Sequence, residues 1–138
     1  MESYEILYQT NKCEISYIKS LNTINIKWIG YASSDIHHEN AMKAINFVKE
    51  KGAKTVISDN RKGKVISKES QEWGHNVMVP SLLQSKVKQL LIIESENIFN
   101  QFAIDQMIEK NKMSHNSIKV ETFLDLESAF RNIKRQIE

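Results

Sequence analysis

The chain is 138 residues long, with 41% hydrophobic and 26% charged side chains. This is a globular composition that excludes wholesale disorder, collagen, a disulfide scaffold and a coiled coil. One domain spanning 1–138 is expected, large enough to bury about two-thirds of the unfolded chain's surface. Nineteen basic against 17 acidic side chains leave a net charge of +2, so no global basic field invites nucleic acid or an anionic membrane.

Residues 4 to 9, Tyr4-Glu5-Ile6-Leu7-Tyr8-Gln9, read as a first strand. Cys13, Ile15 and Tyr17 then alternate with Glu14 and Ser16. After a loop from Lys19 to Thr23, Ile24, Ile26 and Trp28 alternate with Asn25 and Lys27. Two period-2 runs joined by a short polar loop predict an antiparallel hairpin buried on one face. Residues 34 to 51 switch to helical period, with Ser34 or Asp35 as cap, a stripe of Ala41, Ala44, Ile45 and Val48, and Gly52 as the stop.

A short strand from Lys54 to Ser58 leads into a polar loop, Asp59 to Ile66. A second helix is expected after Ser67, with Trp73 and Val77 as its inward pair and Pro80 ending it or starting another turn. Val87 to Ile93 is apolar on both faces, as a doubly covered strand requires. A third helix is expected over 97–112 and an edge strand over Ser117 to Phe123. The last helix carries Leu126, Ala129, Phe130, Ile133 and Ile137 on one stripe, with Asp125 as cap and Leu124 stapled onto Ala129. The order β-β-β-α-β-α-β-α-β-α predicts an α/β fold. Its mixed sheet has an N-terminal antiparallel hairpin followed by βα units, with helices packed on the sheet.

The start, Met1-Glu2-Ser3-Tyr4-Glu5, is acidic with no apolar run behind it, so no secretory leader is read. The longest aliphatic run, Leu90 to Ile93, is too short for a membrane span. Cys13 is the only cysteine, so no intrachain disulfide forms. A cytoplasmic protein is expected.

Several strings carry a resemblance. Ile26-Lys27-Trp28-Ile29-Gly30 ends the hairpin, and Ser58-Asp59-Asn60-Arg61 follows the next strand. Ser67-Lys68-Glu69-Ser70-Gln71-Glu72-Trp73 opens the second helix and Pro80 follows it. Ile98-Phe99 follows the doubly covered strand, and Thr122-Phe123-Leu124-Asp125 with Glu127 and Ala129 closes the chain. Together with the element order they resemble the small STAS-like bacterial proteins that share the fold of the sporulation anti-anti-sigma factor (SpoIIAA-like). The resemblance covers nearly the whole chain and implies that fold. It also implies a regulatory or ligand-binding role, and some relatives have been likened to lipid-transfer domains. Regulatory STAS domains carry an Asp-Ser-Ser-Gly-like phosphorylation motif between a strand and the next helix. Here the junction reads Ser58-Asp59-Asn60-Arg61-Lys62-Gly63-Lys64, so no phosphosite carries over.

Ligands of open α/β sheets bind beyond the carboxyl ends of the parallel strands. There the segment 59–68 gathers Arg61, Lys62, Lys64 and Lys68 around Asp59 and Asn60, with Gly63 for close backbone approach and Ser67 heading a helix. This is a candidate site for a phosphate or carboxylate; the alternative is a solvated turn held by local hydrogen bonds. His37, on the inward stripe of the first helix, is a candidate ligand contact. A helix N-terminus disfavours its charged form, and the alternative is a structural histidine. His37 and His38 point about 100° apart, and no His/Cys spacing suggests zinc, so no metal site is read. Cys13, on the apolar side of its strand, reads as core.

In the third helix Phe99, Phe102 and Ala103 form one stripe, and Ile104, Met107 and Ile108 a shifted one. Either the helix kinks near Ala103, or it presents a second apolar face to a ligand or to a partner subunit, Ile104 and Ile108 then meeting a second copy in a homodimer. The reading that follows is a non-catalytic binding or regulatory module for a small ligand or a protein, without a cofactor. The candidate ligand-binding residues are Asp59, Asn60, Arg61, Lys64, Ser67 and His37. The alternative is a carrier of a lipid-like ligand in an apolar cavity. A small enzyme using Asp59, Arg61 and His37 is the third reading, with no recognised catalytic motif behind it.

Overall fold

The computed structural model describes residues 2–63, 68–93 and 118–137. Among the described residues six strands form one sheet in sequential order: β1 (Glu5–Gln9), β2 (Cys13–Ile18), β3 (Thr23–Gly30), β4 (Thr55–Gly63), β5 (Gln89–Ile93) and β6 (Lys119–Phe123). The pairs β1–β2 and β2–β3 are antiparallel, and β3 to β6 run parallel. The helices among the described residues are α1 (Ser34–Lys51), α2 (Lys68–Trp73), α3 (Val79–Leu83) and α4 (Leu126–Ile137). A π-helical turn, Gly74–Met78, joins α2 to α3. The expected mixed α/β architecture is present: antiparallel strands, then alternating strands and helices. None of the described helices is long and apolar enough to cross a membrane. The expected helix over 97–112, with Ile104 and Ile108, lies outside the described residues.

Each parallel step, β3 to β4 to β5 to β6, moves the same way across the sheet. Right-handed crossovers then place the intervening helices on one face, and α1 and α3 do share one. Ala41, Ala44, Ile45 and Val48 of α1 and Leu82 of α3 bury against Cys13, Ile15, Ile24, Ile26, Trp28, Val56, Leu90 and Ile92. The other face carries α4, whose Ala129 and Ile133 pack with Ile18, Leu21, Ile57, Leu91 and Ile93. Every residue of β5 is buried, as its unbroken apolar run predicts.

The helix ends follow local chemistry. Ser33, one residue earlier than expected, caps α1: its Oγ accepts the Ile36 N–H at 3.4 Å. Gly52 closes α1 at φ +63°, a conformation that costs glycine little. Asp125 caps α4, its Oδ1 accepting the Ser128 N–H at 2.8 Å. The Ser128 N–H and hydroxyl hold that carboxyl below its usual range. Pro80 starts α3 rather than ending a longer helix.

Three expectations are corrected. The hairpin is covered on both faces, because Ser16 and Asn25, opposite each other across β2–β3, are buried on the α4 side. Trp73 and Val77 are not an inward pair: Val77 is 37% exposed and Trp73 half-buried. The reason is the π-turn, whose wider winding breaks the one-turn spacing that relates these two positions in an α-helix. At the chain's end Leu124 and Ile137 are exposed, so the staple does not form and Ile133 is the last buried residue of α4.

This division of the core predicts unequal costs along α4 and beneath it. Ile57→Ala removes a fully buried side chain between the sheet and α4 and should cost about 2–5 kcal/mol. Ile137→Ala should change stability by less than about 0.5 kcal/mol. Urea denaturation of both variants checks this, and similar midpoints would mean that α4 does not sit as described.

Candidate functional site

The string from Asp59 to Gly63, expected as the start of a loop, is strand. β4 stays paired with β3 as far as Gly30 and Gly63. Charge and glycine made it read as a loop, but its polar groups find partners within the sheet. The register slips once: Lys27 faces Asp59 and Ile29 faces Lys62, so β4 takes three steps where β3 takes two. Such a bulge re-aims side chains at a strand end.

Strand alternation divides the candidate residues. Asp59 and Arg61 lie on the α4 face, in step with Ile57. The Arg61 guanidinium grips the Asp59 carboxylate with both prongs, Nε to Oδ1 at 3.0 Å and Nη2 to Oδ2 at 2.8 Å, and the Arg61 N–H adds a third bond to Oδ1 at 3.2 Å. Asp59 is 2% exposed. Tyr4, whose ring meets Phe130 of α4 at 6.3 Å, is close enough to feel the pair: burial first, then the Asp59 charge, raises its phenol. Arg61's fork is therefore already filled by a carboxylate.

This pairing is asymmetric in exposure, the Arg61 side chain being about one-third exposed and the Asp59 side chain 3%. Arg61→Ala leaves a buried carboxylate uncompensated and should destabilise by about 2–4 kcal/mol. The double variant Asp59→Ala/Arg61→Ala should recover part of that loss. Thermal unfolding of the two decides it; a double variant less stable than the single one contradicts the account.

Asn60 belongs to the opposite face, with Ser58. There the Ser58 Oγ accepts from Trp28 Nε1 at 3.2 Å and from Asn60 Nδ2 at 3.2 Å. Trp28 stacks on His37 of α1, ring centroids 4.5 Å apart and planes 22° from parallel. His37 meets His38 edge-on at 6.0 Å, and His38 stacks on Trp73 of α2 at 4.4 Å and 10°. The Ser70 Oγ of α2 lies 3.5 Å from His38 Nε2. Four rings thus run from the sheet across α1 to α2. Beside them lies a cavity of about 40 Å³, whose polar lining is Trp28, His37, Ser58, Asn60 and Ser70 and whose apolar lining is Met78, Val79, Leu82, Leu90 and Ile92.

Two polar atoms of α1's first turns are buried without a hydrogen-bond partner, His37 Nδ1 and Asn40 Nδ2. Burial, and secondarily the neighbouring His38, pushes His37 down to about 4, so its ring is neutral at ordinary pH. In the same core Cys13, the cross-strand partner of Trp28, is fully buried, and burial pushes its thiol up to about 12. It has no nucleophilic character at neutral pH.

Of the six residues predicted from sequence, the structure brings His37 and Asn60 to one cavity and turns Asp59 and Arg61 to the other side of the sheet. Lys64 and Ser67 lie outside the described residues. Trp28, His38, Ser58, Ser70 and Trp73 were missed as site residues. Their only sequence signal was that the chain's two tryptophans and its adjacent histidines fall at strand and helix ends. Among the described residues no group of three or more His, Cys, Asp or Glu is placed to hold a metal. The chain matches no protein-family model, and a search of curated proteins finds no match.

His37 makes acid stability testable. Between pH 6.5, its ordinary pKa, and about 4, the unfolded chain binds a proton that the native ring refuses. Stability therefore rises with pH across this window and is lost on acidification through it, by up to about 3 kcal/mol. His37→Phe keeps a ring against Trp28 and should flatten that part of the profile. Stability curves against pH that run parallel for wild type and variant would show that His37 is solvated.

Proposed function

We propose that the chain is a non-catalytic, cytoplasmic binding module, STAS-like and SpoIIAA-like in fold, that takes a small ligand at the corner formed by β3, β4, α1 and α2. One observation carries the reading. A buried histidine nitrogen without a hydrogen-bond partner borders a cavity whose wall is an ordered Trp28–Ser58–Asn60 hydrogen-bond cluster. Buried polar atoms are normally satisfied, and an exception calls for a partner from outside the fold. The position agrees, since the corner stands at the carboxyl ends of parallel strands.

Two features favour a binding module over the carrier. The corner cavity has room for a few water molecules, not for an acyl chain. The larger hollows, of about 480 and 430 Å³, lie along α4 as surface clefts open to solvent, with Tyr4, Phe130 and Ile133 beside charged and amide groups such as Arg131 and Gln136, and do not enclose an apolar ligand. Binding is favoured over catalysis because the Ser70–His38 approach is long for proton transfer and no carboxylate among the described residues orients His38. The single, buried thiol suits a reducing compartment.

Native mass spectrometry of the protein isolated under non-denaturing conditions tests this. A small-molecule mass should accompany the wild type and be absent from the folded His37→Phe and Asn60→Leu variants. A wild type that carries no adduct, or one retained equally by both variants, contradicts the proposal.

A further inference from the structure

The corner cavity also selects what kind of chemical group can enter it. Its polar inventory is specific. The Ser58 Oγ already accepts two hydrogen bonds, from Trp28 Nε1 and Asn60 Nδ2. A hydroxyl has two lone pairs and one proton, so Ser58 has its O–H left to give. His37, which lines the cavity, has its Nδ1 buried and without a hydrogen-bond partner. Ser70, whose hydroxyl lies 3.5 Å from His38 Nε2, and Gly74 also line the cavity, and the remaining lining among the described residues is apolar: Met78, Val79, Leu82, Leu90 and Ile92.

No charged side chain lines this cavity among the described residues. Arg61, the cation nearest in sequence, is on the other face of the sheet and bound to Asp59. An anion entering here loses its water against largely apolar walls and gains no opposite charge from the described lining, a transfer that costs several kcal/mol. A cation meets the same walls with no carboxylate among the described lining residues to receive it. A neutral group that both donates and accepts matches what is present, accepting from the Ser58 O–H and donating to His37 Nδ1. The volume of about 40 Å³ corresponds to roughly three water-sized positions, so the group has about three heavy atoms.

We infer that this corner receives the uncharged, hydrogen-bonding end of its ligand, of the carboxamide or hydroxyl class, and rejects phosphate, carboxylate and ammonium groups. The inference rests on the proposed binding role and narrows it to a ligand chemistry.

Three planar probes of equal size separate the possibilities: formamide, formate and formamidinium differ in charge and donor pattern but not in heavy-atom count. Each is titrated into the full chain at neutral pH. The His37 ring nitrogens and the Trp28 indole N–H are followed by ¹⁵N NMR, with inorganic phosphate as a fourth probe. Formamide should shift both signals saturably, and the three ions should leave them unmoved. His37→Phe should lose the formamide shift of the Trp28 N–H while far-UV circular dichroism shows it folded. Ser58→Ala, a smaller change, should weaken the response in the same direction. A saturable response to formate, formamidinium or phosphate overturns the inference and leaves the binding role standing. Silence towards all four probes overturns the inference together with the binding role. A formamide response undiminished in both variants places the contact elsewhere and also overturns it.

Discussion

The pairing of β4 with β3 beyond Asp59 is the constraint on which the rest depends. If β4 ended at Ser58, the polar residues after it would form a loop free to gather their charges at one point. Because the ladder continues to Gly63, alternation sends neighbouring side chains to opposite faces. Asp59 and Arg61 are driven together on the α4 side and neutralise one another. Asn60 goes to the α1 side with Ser58 and becomes part of a wall. One backbone feature thus makes a closed ion pair on one face and an uncharged cavity on the other.

The four rings are the second element of the account. A six-residue helix such as α2 has too few internal hydrogen bonds to stand alone. It gains order by docking, and the His38–Trp73 stack, with the Ser70 hydroxyl near His38, joins it to α1. Stacked aromatic pairs contribute about 0.5–1.5 kcal/mol beyond their buried area. The Trp28–His37 stack anchors the start of α1 on the end of β3, so the rings tie three elements around the cavity. The π-turn after Trp73 belongs to the same arrangement, bringing Met78 beneath the corner while turning Val77 outward.

Much of the fold was legible in the sequence because its signals are local and periodic. The alternation of Ile24, Ile26 and Trp28, the stripe Ala41–Ala44–Ile45–Val48 and the stop at Gly52 each report an element without reference to the rest of the chain. The unbroken run Leu90–Ile93 reports burial on both sides. The site was less legible. Asp59, Asn60 and Arg61 look like one cluster on paper, and only the register of β4 against β3 shows that a sheet passes between them. The meeting of Trp28, His37, Ser58 and Ser70 joins residues distant in sequence, which no spacing rule reports. Val77 was misplaced because helical periodicity was carried through a stretch that winds differently.

The ring contacts themselves are the most direct object of measurement. In a ¹H NOESY spectrum with selectively labelled histidine and tryptophan, the Trp28 indole should show cross-peaks to the His37 ring and the Trp73 indole to the His38 ring, with no cross-peak from either histidine to the Arg61 side chain. Cross-peaks joining Arg61 to His37, or a Trp73 indole without contact to His38, would contradict the division of the sheet into a charged, closed face and a neutral, open corner.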